Sequence, residues 1–361
     1  MKTLTCILML SIILGGFMVW NFVDQKKLFI PHVPIQSDSS EKIIIPKLTI
    51  DDFFDSSISA TKYPAEDVWT MIVTGDVIPA RSVNYKSTQY NNFKWAFEPT
   101  AKFLRSSDIT YVNLEAPIIN DCPVTNEGMI FCGSALHSHG LAYAGVDIVN
   151  LANNHLGNHG KEGIEETTQI LDQQNIQYSG IENNPQYREI KGNKIAFLGY
   201  DDIELQPGVS SADENIIVSE ITEADKNVDY VIVQFHWGVE YVTQPNERQK
   251  TLARLAVDSG ADLIIGNHPH WIQPVELYKN SLITYAHGNF IFDQMWSEKT
   301  KEGVIGKYYF YKNSLIDVEY IPIKIIDYGQ AQFVNDEYEY SRIIDSMYQE
   351  SILLQKSSLH F

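Results

Sequence analysis

Between Val68 and about Ile326, short unbroken apolar runs alternate with stretches in which apolar residues recur every three or four positions. The runs predict strands at Thr70–Thr74, Ile109–Asn113, Asp147–Leu151, Ile195–Gly199, Tyr230–Phe235, Leu263–Ile265 and Leu282–Tyr285. In Asn246–Ser259, Leu252, Leu255, Ala256 and Ser259 fall on one helical face and Gly260 supplies a stop. In Lys161–Gln174, Ile164, Thr168 and Leu171 predict a second such face. Strands that are apolar throughout are buried on both sides, so the alternation predicts an α/β layered fold with helices on both sheet faces. The segments Val275–Tyr278, Leu282–Tyr285 and Leu315–Lys324 read as antiparallel additions. Folds of this kind place their chemistry at the carboxyl ends of strands.

The ends of the chain follow other patterns. From Thr3 to Val23 there is no charge, and about 20 apolar residues suffice to span a bilayer core of ~30 Å. The run closes on Met18, Val19, Trp20, Asn21 and Phe22, which lacks the small-residue site of a cleaved signal and suits an interfacial belt. Residues 1–23 therefore read as a transmembrane anchor, with a cleaved signal as the alternative. Residues 24–67 hold Pro31, Pro34, Pro46, Pro64 and a Ser/Asp cluster at Ser37–Ser40, and read as a stalk with a short strand at Ile43–Ile45. Residues 68–326 form the expected main domain, and 327–361 a tail with one amphipathic helix around Ile343–Leu354. No internal repeat is apparent.

Cys6 lies in the apolar run, and Cys122 and Cys132 are the other cysteines, with nine residues between them in a loop containing Pro, Asn and Gly. Two cysteines in one loop behind an export signal predict a disulfide, with two free thiols as the alternative. The expected location is the cell membrane, single-pass, with the main domain extracytoplasmic. Composition narrows the partners. With 27 Lys+Arg against 46 Asp+Glu, the 361-residue chain carries a formal charge of −19. No positive field is available to release phosphate counterions, so nucleic acid is excluded as the leading partner, as is electrostatic docking on anionic lipid.

Polar residues gather at the predicted strand ends. They are Asp76, Glu115, the run Asn153-Asn154-His155, His236 with Glu240 beyond it, Asn267, His268 and His270, and then His287 and Asn289. Six successive strand ends carrying Asp, Glu, Asn or His supply the ligand set of divalent cations such as Mn²⁺, Zn²⁺ or Mg²⁺. Pro269 restricts the backbone between His268 and His270. Such a set can hold two cations ~3.5–4 Å apart that polarise a phosphoryl-type oxygen and activate water.

The motifs GDVIPAR (75–81), VNLEAPI (112–118), GVDIVNLANNHLGNHG (145–160), QFHWGVEY (234–241), ADLIIGNHPHWIQPVE (261–276) and HGNFIFDQ (287–294) resemble those of the CapA family of capsule, or poly-gamma-glutamate, biosynthesis proteins. The resemblance runs in unbroken order from about Val68 to Gln294. It implies a four-layer α/β/β/α sandwich of the calcineurin-like metallophosphoesterase type. It also implies metal positions at Asp76, Glu115, Asn154, His236, His268 and His270, with His155 as proton donor or charge stabiliser. Asn153, Glu240, His287 and Asn289 would support them. Glu115 stands where those enzymes use a bridging Asp. Three departures are visible: Asn158-His159 where the family usually has Asp-Tyr before Gly, Asn267 at a variable His, and His287 where Leu is common. The first predicts a missing supporting carboxylate.

Several residues carry plainer readings. Gly75 and Gly266 read equally as turn glycines or anion-cradling ones. Trp237 and Trp271 read as core or rim aromatics, and His32, His137, His139 and His360 as surface residues. Glu240 and Glu276 are candidates for an acid pair, although a supporting or surface role fits better. No Gly-x-Ser-x-Gly elbow or Walker loop is present. Two functions remain open. One is a metal-dependent hydrolase or transferase acting on an anionic polymer or phosphoester beside other capsule-polymer synthesis subunits. The other is a non-catalytic polymer-handling subunit that uses the cations as a bridge, since a chain of charge −19 repels a polyanion without them. A cell-surface phosphoesterase unrelated to capsule is a weaker third.

Overall fold

In strand Val68–Val77 of the computed structural model, Trp69, Met71 and Val73 point to one side of the sheet and Ile72 to the other. Both sides are covered, which is why Met71, Ile72 and Val73 are apolar in succession. The structure describes residues 47–55 and 59–358. The expected anchor at 1–23 and the strand at Ile43–Ile45 lie outside the described residues, as do His32 and His360. Among the described residues, no helix is long and apolar enough to cross a membrane.

Two sheets carry the fold. In the larger, Val68–Val77 is followed by parallel neighbours Ile109–Leu114, Ile148–Asn150 and Gln177–Ser179. On its other side, Glu302–Tyr311, Ser314–Ile326 and Gln330–Phe333 add antiparallel strands, and Asn289–Ile291 pairs with the distal end of Val68–Val77. The second sheet has a parallel centre of Asn193–Asp201, Tyr230–His236, Leu263–Asn267 and Ser281–Thr284, with antiparallel edges Gln186–Ile190 and Val275–Tyr278.

The sheets share one core. Trp69, Met71, Tyr111 and Phe310 of the first meet Phe197, Tyr230, Ile232 and Ile265 of the second. Helices Ala101–Leu104, His137–Ala144 and Gly160–Gln173 cover the outer face of the larger sheet, and Glu214–Asp225 and Glu247–Asp258 that of the smaller. This is a mixed α/β structure with helices outside two facing sheets. Helix Glu247–Asp258 begins with a capping box, in which Asn246 accepts from Gln249 N and the Gln249 side chain accepts from Asn246 N.

Three expectations shift. In helix Gly160–Gln173 the buried face runs through Thr167 and Ile170, whereas Thr168 is half-buried. Thr167 turns inward because its hydroxyl donates to Gly163 O at 2.7 Å, and it accepts from Ile118 N at 3.0 Å. The folded body also begins before residue 68, because Ile50 and Phe53 are buried in the inter-sheet core and Tyr63 packs on Tyr311. At the other end, helix Glu337–Ser358 docks Ile343 and Met347 into that core, so the tail is part of the body too.

Gly75 and Gly266 act neither as turn glycines nor as anion cradles. Each lies inside a strand, where a Cβ would sit 2.1 Å from Gly288 O and 1.9 Å from Tyr285 O, respectively. Both permit a neighbouring chain to pass at backbone contact.

Candidate metal centre

The parallel strands of both sheets end at the same place. Asp76 lies near the end of Val68–Val77, and Glu115 follows Ile109–Leu114. Asn154 lies beyond Ile148–Asn150, His236 closes its strand, and His268 and His270 follow Leu263–Asn267. Asp76, Glu115, His236, His268 and His270 are all nearly inaccessible to solvent. His268 and His270 both adopt positive φ, 95° and 56°, a strained backbone region for side-chain-bearing residues that clusters at functional sites.

Donor atoms converge in two groups. Around His236 Nε2 lie Asn154 Oδ1 at 2.8 Å, His268 Nδ1 at 3.2 Å and Glu115 Oε1 at 3.5 Å. In the other group, His270 Nδ1 lies 3.0 Å from Asp76 Oδ2, and His270 Nε2 lies 3.9 Å from Glu115 Oε1. Glu115–His236–His268 and Asp76–Glu115–His270 each bring one ligand atom per residue within 4.8 Å of one another, and Glu115 belongs to both. Its Oε1 is buried with no hydrogen-bond partner among the described residues, which is costly unless a cation meets it.

The electrostatics agree. Burial, then the neighbouring Asp76 carboxylate, push the Glu115 carboxyl well above its ordinary range. Burial alone would raise Asp76, but hydrogen bonds with His270, Asn113 and Asn267 outweigh it and hold that carboxyl low. Burial drives His236 well down and His268 to about 3, so both imidazoles are neutral at pH 7, the form that binds metal. The donor set and the orphaned carboxylate oxygen fit divalent cations.

An amide network orients Asp76, and sequence reasoning saw only one of its members. Asn113 Nδ2 donates to Asp76 Oδ1 at 2.9 Å and to Glu115 Oε2 at 3.3 Å, and Asn150 Nδ2 donates to Asn113 Oδ1 at 3.3 Å. Asn267 Nδ2 donates to the same Asp76 oxygen at 2.8 Å and accepts from Gln234 at 2.5 Å. The available signal was polar amides inside otherwise apolar strands. Asp201 was also missed. It pairs in register with His236, and burial pushes its carboxyl up to about 7.

The expected supporting residues divide. Asn153 fixes the loop by donating to Leu114 O at 2.9 Å, and Glu240 lines the cavity over the centre. His287 instead meets Tyr308 OH at 3.0 Å in the core, and Asn289 donates to Thr300 O at 2.9 Å. Glu276 is no partner for Glu240, since it is buried against Arg254 and the Tyr285 hydroxyl, each at 2.7 Å. Trp237 is core, stacked on Phe235 at 4.5 Å, while Trp271 lies under Lys299 at 4.4 Å. His137 is buried rather than superficial. Its Nε2 lies 3.2 Å from Asn84 Oδ1, and burial lowers it to about 3. His139 is exposed.

His155 sits beside the cluster. Its Nδ1 lies 3.1 Å from Asn158 Oδ1, which also accepts from Phe131 N at 2.7 Å. Asn158 thus occupies the supporting position for which a carboxylate was expected to be missing, without the charge that would raise the imidazole. Burial lowers the His155 pKa. Phe131 stacks on the His155 ring at 4.2 Å, and the neighbouring Cys132 is joined to Cys122 by a disulfide. A cavity of about 270 Å³ opens over His155 and His270, with Arg81, Tyr241 and Phe292 also in its wall.

Fold and site together define a layered α/β protein with a buried histidine–carboxylate centre suited to divalent cations at its strand ends. The chain belongs to the family described as bacterial capsule synthesis protein PGA_cap, whose model matches residues 70–294. The PGA biosynthesis protein CapA of Bacillus subtilis strain 168 is 31% identical, over 80% of this chain and 80% of that protein. The capsule biosynthesis protein CapA of Bacillus anthracis is 28% identical, over 80% and 74%. A hypothetical protein from Thermus thermophilus superposes with a TM-score of 0.48 at 13% identity, over 73% of this chain and 99% of that one.

Proposed function

We propose that this chain is a metallophosphoesterase-type hydrolase or transferase serving capsule or poly-gamma-glutamate synthesis, held at the cell membrane by residues 1–23 with its main body extracytoplasmic. The relatives' names supply the process. The observation that carries the chemistry is that Glu115 lies within reach of both ligand groups, as a carboxylate shared by two ions does. Asp76, Glu115 and His270 would hold one cation, and Glu115, Asn154, His236 and His268 the other. Two such ions lower the pKa of water and polarise a phosphoryl oxygen.

The chain's own residues supply the rest. Asn158 Oδ1 already accepts from the Phe131 amide, so its contact with His155 places a proton on Nδ1. Neutral His155 therefore keeps its lone pair on Nε2, so a proton given to a leaving group from that nitrogen would first have to be taken up there. Phe131, stacked on the ring at 4.2 Å, fixes the orientation of the imidazole. Asn113 and Asn267 keep Asp76 ionised and oriented.

His155→Ala is expected to keep the wild-type metal content while phosphoesterase turnover on a generic aryl phosphate falls about 10²–10³-fold. Equal turnover in wild type and variant would remove His155 from the reaction. A non-catalytic, cation-bridged grip on an anionic polymer is the second reading, favoured by the net charge of −19. It predicts polymer binding that chelation abolishes, with no turnover in either protein.

A further inference from the structure

One cationic side chain lines the cavity over the centre, that of Arg81. Its Nη2 donates to Asp293, whose other carboxylate oxygen accepts from Ser82 N at 3.1 Å. The guanidinium carbon lies 4.8 Å from the Phe131 ring and 5.0 Å from the Phe292 ring. The residue itself adopts φ 49° and ψ −122°, a strained backbone for a residue that is not glycine. A fixed, ring-flanked guanidinium is preorganised to bind, because little side-chain freedom remains to be lost. Its Nη1 has only long contacts, 3.4 Å to Gly128 O and 4.0 Å to Met129 Sδ, so donor capacity is left over.

Its position is beside the metal chemistry. Phe131 packs against both Arg81 and the His155 ring, and Phe292, 5.3 Å from the His270 ring, packs against Arg81 as well. The guanidinium thus shares each of these aromatic rings with a residue at the centre. It suits a group attached to the substrate some bonds away from the reacting atom. Asp293 and Glu240 share the cavity wall, so a singly charged carboxylate is repelled less there than a second phosphate dianion.

We propose that Arg81 is the specificity-determining residue of this cavity and binds a carboxylate of the substrate whose reacting group lies over the Asp76–Glu115–His270 cluster. The substrate is then an acidic molecule, with a carboxylate set apart from the bond that is cleaved. This rests on the hydrolytic reading above. One fixed cation also selects an anion that the chain's net charge of −19 otherwise repels.

The test is calorimetric titration of the metal-loaded full chain with 4-phosphonobutyrate and with butylphosphonate, which differ by the carboxylate. Wild type is expected to prefer 4-phosphonobutyrate about tenfold, as one charge-assisted contact supplies, and Arg81→Gln to lose that preference. Equal affinities in wild type, or an undiminished preference in Arg81→Gln, would overturn the assignment. Should Arg81→Gln lose its folded circular-dichroism spectrum, Arg81→Lys keeps a charge for Asp293 without the guanidinium fork. A reduced preference there supports the assignment and a full tenfold preference overturns it. If neither phosphonate binds the metal-loaded protein, the phosphoryl reading fails. Glutarate then decides for Arg81: binding that weakens in Arg81→Gln supports it, and binding that does not overturns it.

Discussion

Glu115→Gln is expected to make the metal-free protein more stable and to abolish the stabilisation that divalent cation gives the native one. Without a cation, the Glu115 carboxylate is buried beside Asp76 with Oε1 unpartnered, and its pKa is raised first by burial and then by Asp76. A group whose folded-state pKa is raised contributes stability that is fully present below its unfolded pKa and is lost as pH rises through the folded one. Metal-free wild type should therefore lose stability as pH climbs from about 4.5, whereas Glu115→Gln should not share that loss. The difference at pH 7 is on the order of 3 kcal/mol, the scale of an uncompensated buried charge. With cation the order reverses. Saturation at 100–1,000 times Kd stabilises wild type by about 3–4 kcal/mol, and the variant, whose amide replaces the shared carboxylate, gains little. Thermal unfolding at pH 5 and pH 7, with chelator or with Mn²⁺, reads all four states. A metal-free variant less stable than metal-free wild type at pH 7 would refute the charge argument.

Gly266→Ala is expected to be among the most damaging single-methyl changes in the molecule. The added Cβ would lie 1.9 Å from Tyr285 O, 2.6 Å from Tyr285 C and 2.5 Å from Trp237 Nε1. Two of these atoms are backbone, and the third is fixed by a 3.0 Å hydrogen bond to Tyr285 O. None can retreat by rotating a flexible side chain, so the strand must shift as a whole. Overpacking at the upper end of the usual range costs about 3 kcal/mol, a fall in Tm of roughly 5 °C for a body of this size. The strand that moves carries Asn267 and leads into His268, so metal affinity should fall with stability. A Tm within about 2 °C of wild type, well short of that fall, would show that the crossing is looser than its geometry.

The strand ends were legible in the sequence because burial on both faces makes a parallel strand a continuous apolar run, and Asp76, Glu115, His236 and His268 stand out where such runs stop. The antiparallel strand Glu302–Tyr311 was not seen, since its Lys and Tyr residues break the apolar run although most of the strand is buried. The same limit hid Asn113, Asn150 and Gln234, whose amides face inward, Asn113 donating to Asp76, Asn150 to Asn113 and Gln234 to Asn267. His137 was misread because a lone histidine shows its burial only through a partner, and its partner Asn84 is 53 positions away. The roles of Gly75 and Gly266 depend on which chain crosses them, which pattern along a single chain does not reveal. The strained backbones of Arg81, Tyr241, His268 and His270 are likewise a property of the folded site.

In the proposed reading, Asp76, Glu115, Asn154, His236, His268 and His270 form one dinuclear centre. The most direct test is metal content by inductively coupled plasma mass spectrometry on the full chain, incubated with Mn²⁺ or Zn²⁺ and desalted, beside His268→Ala/His270→Ala. A dinuclear centre predicts about two ions per native chain and their loss in the variant, which removes one histidine from each ligand group. Native chain that leaves the desalting column with no bound metal after either incubation would contradict it.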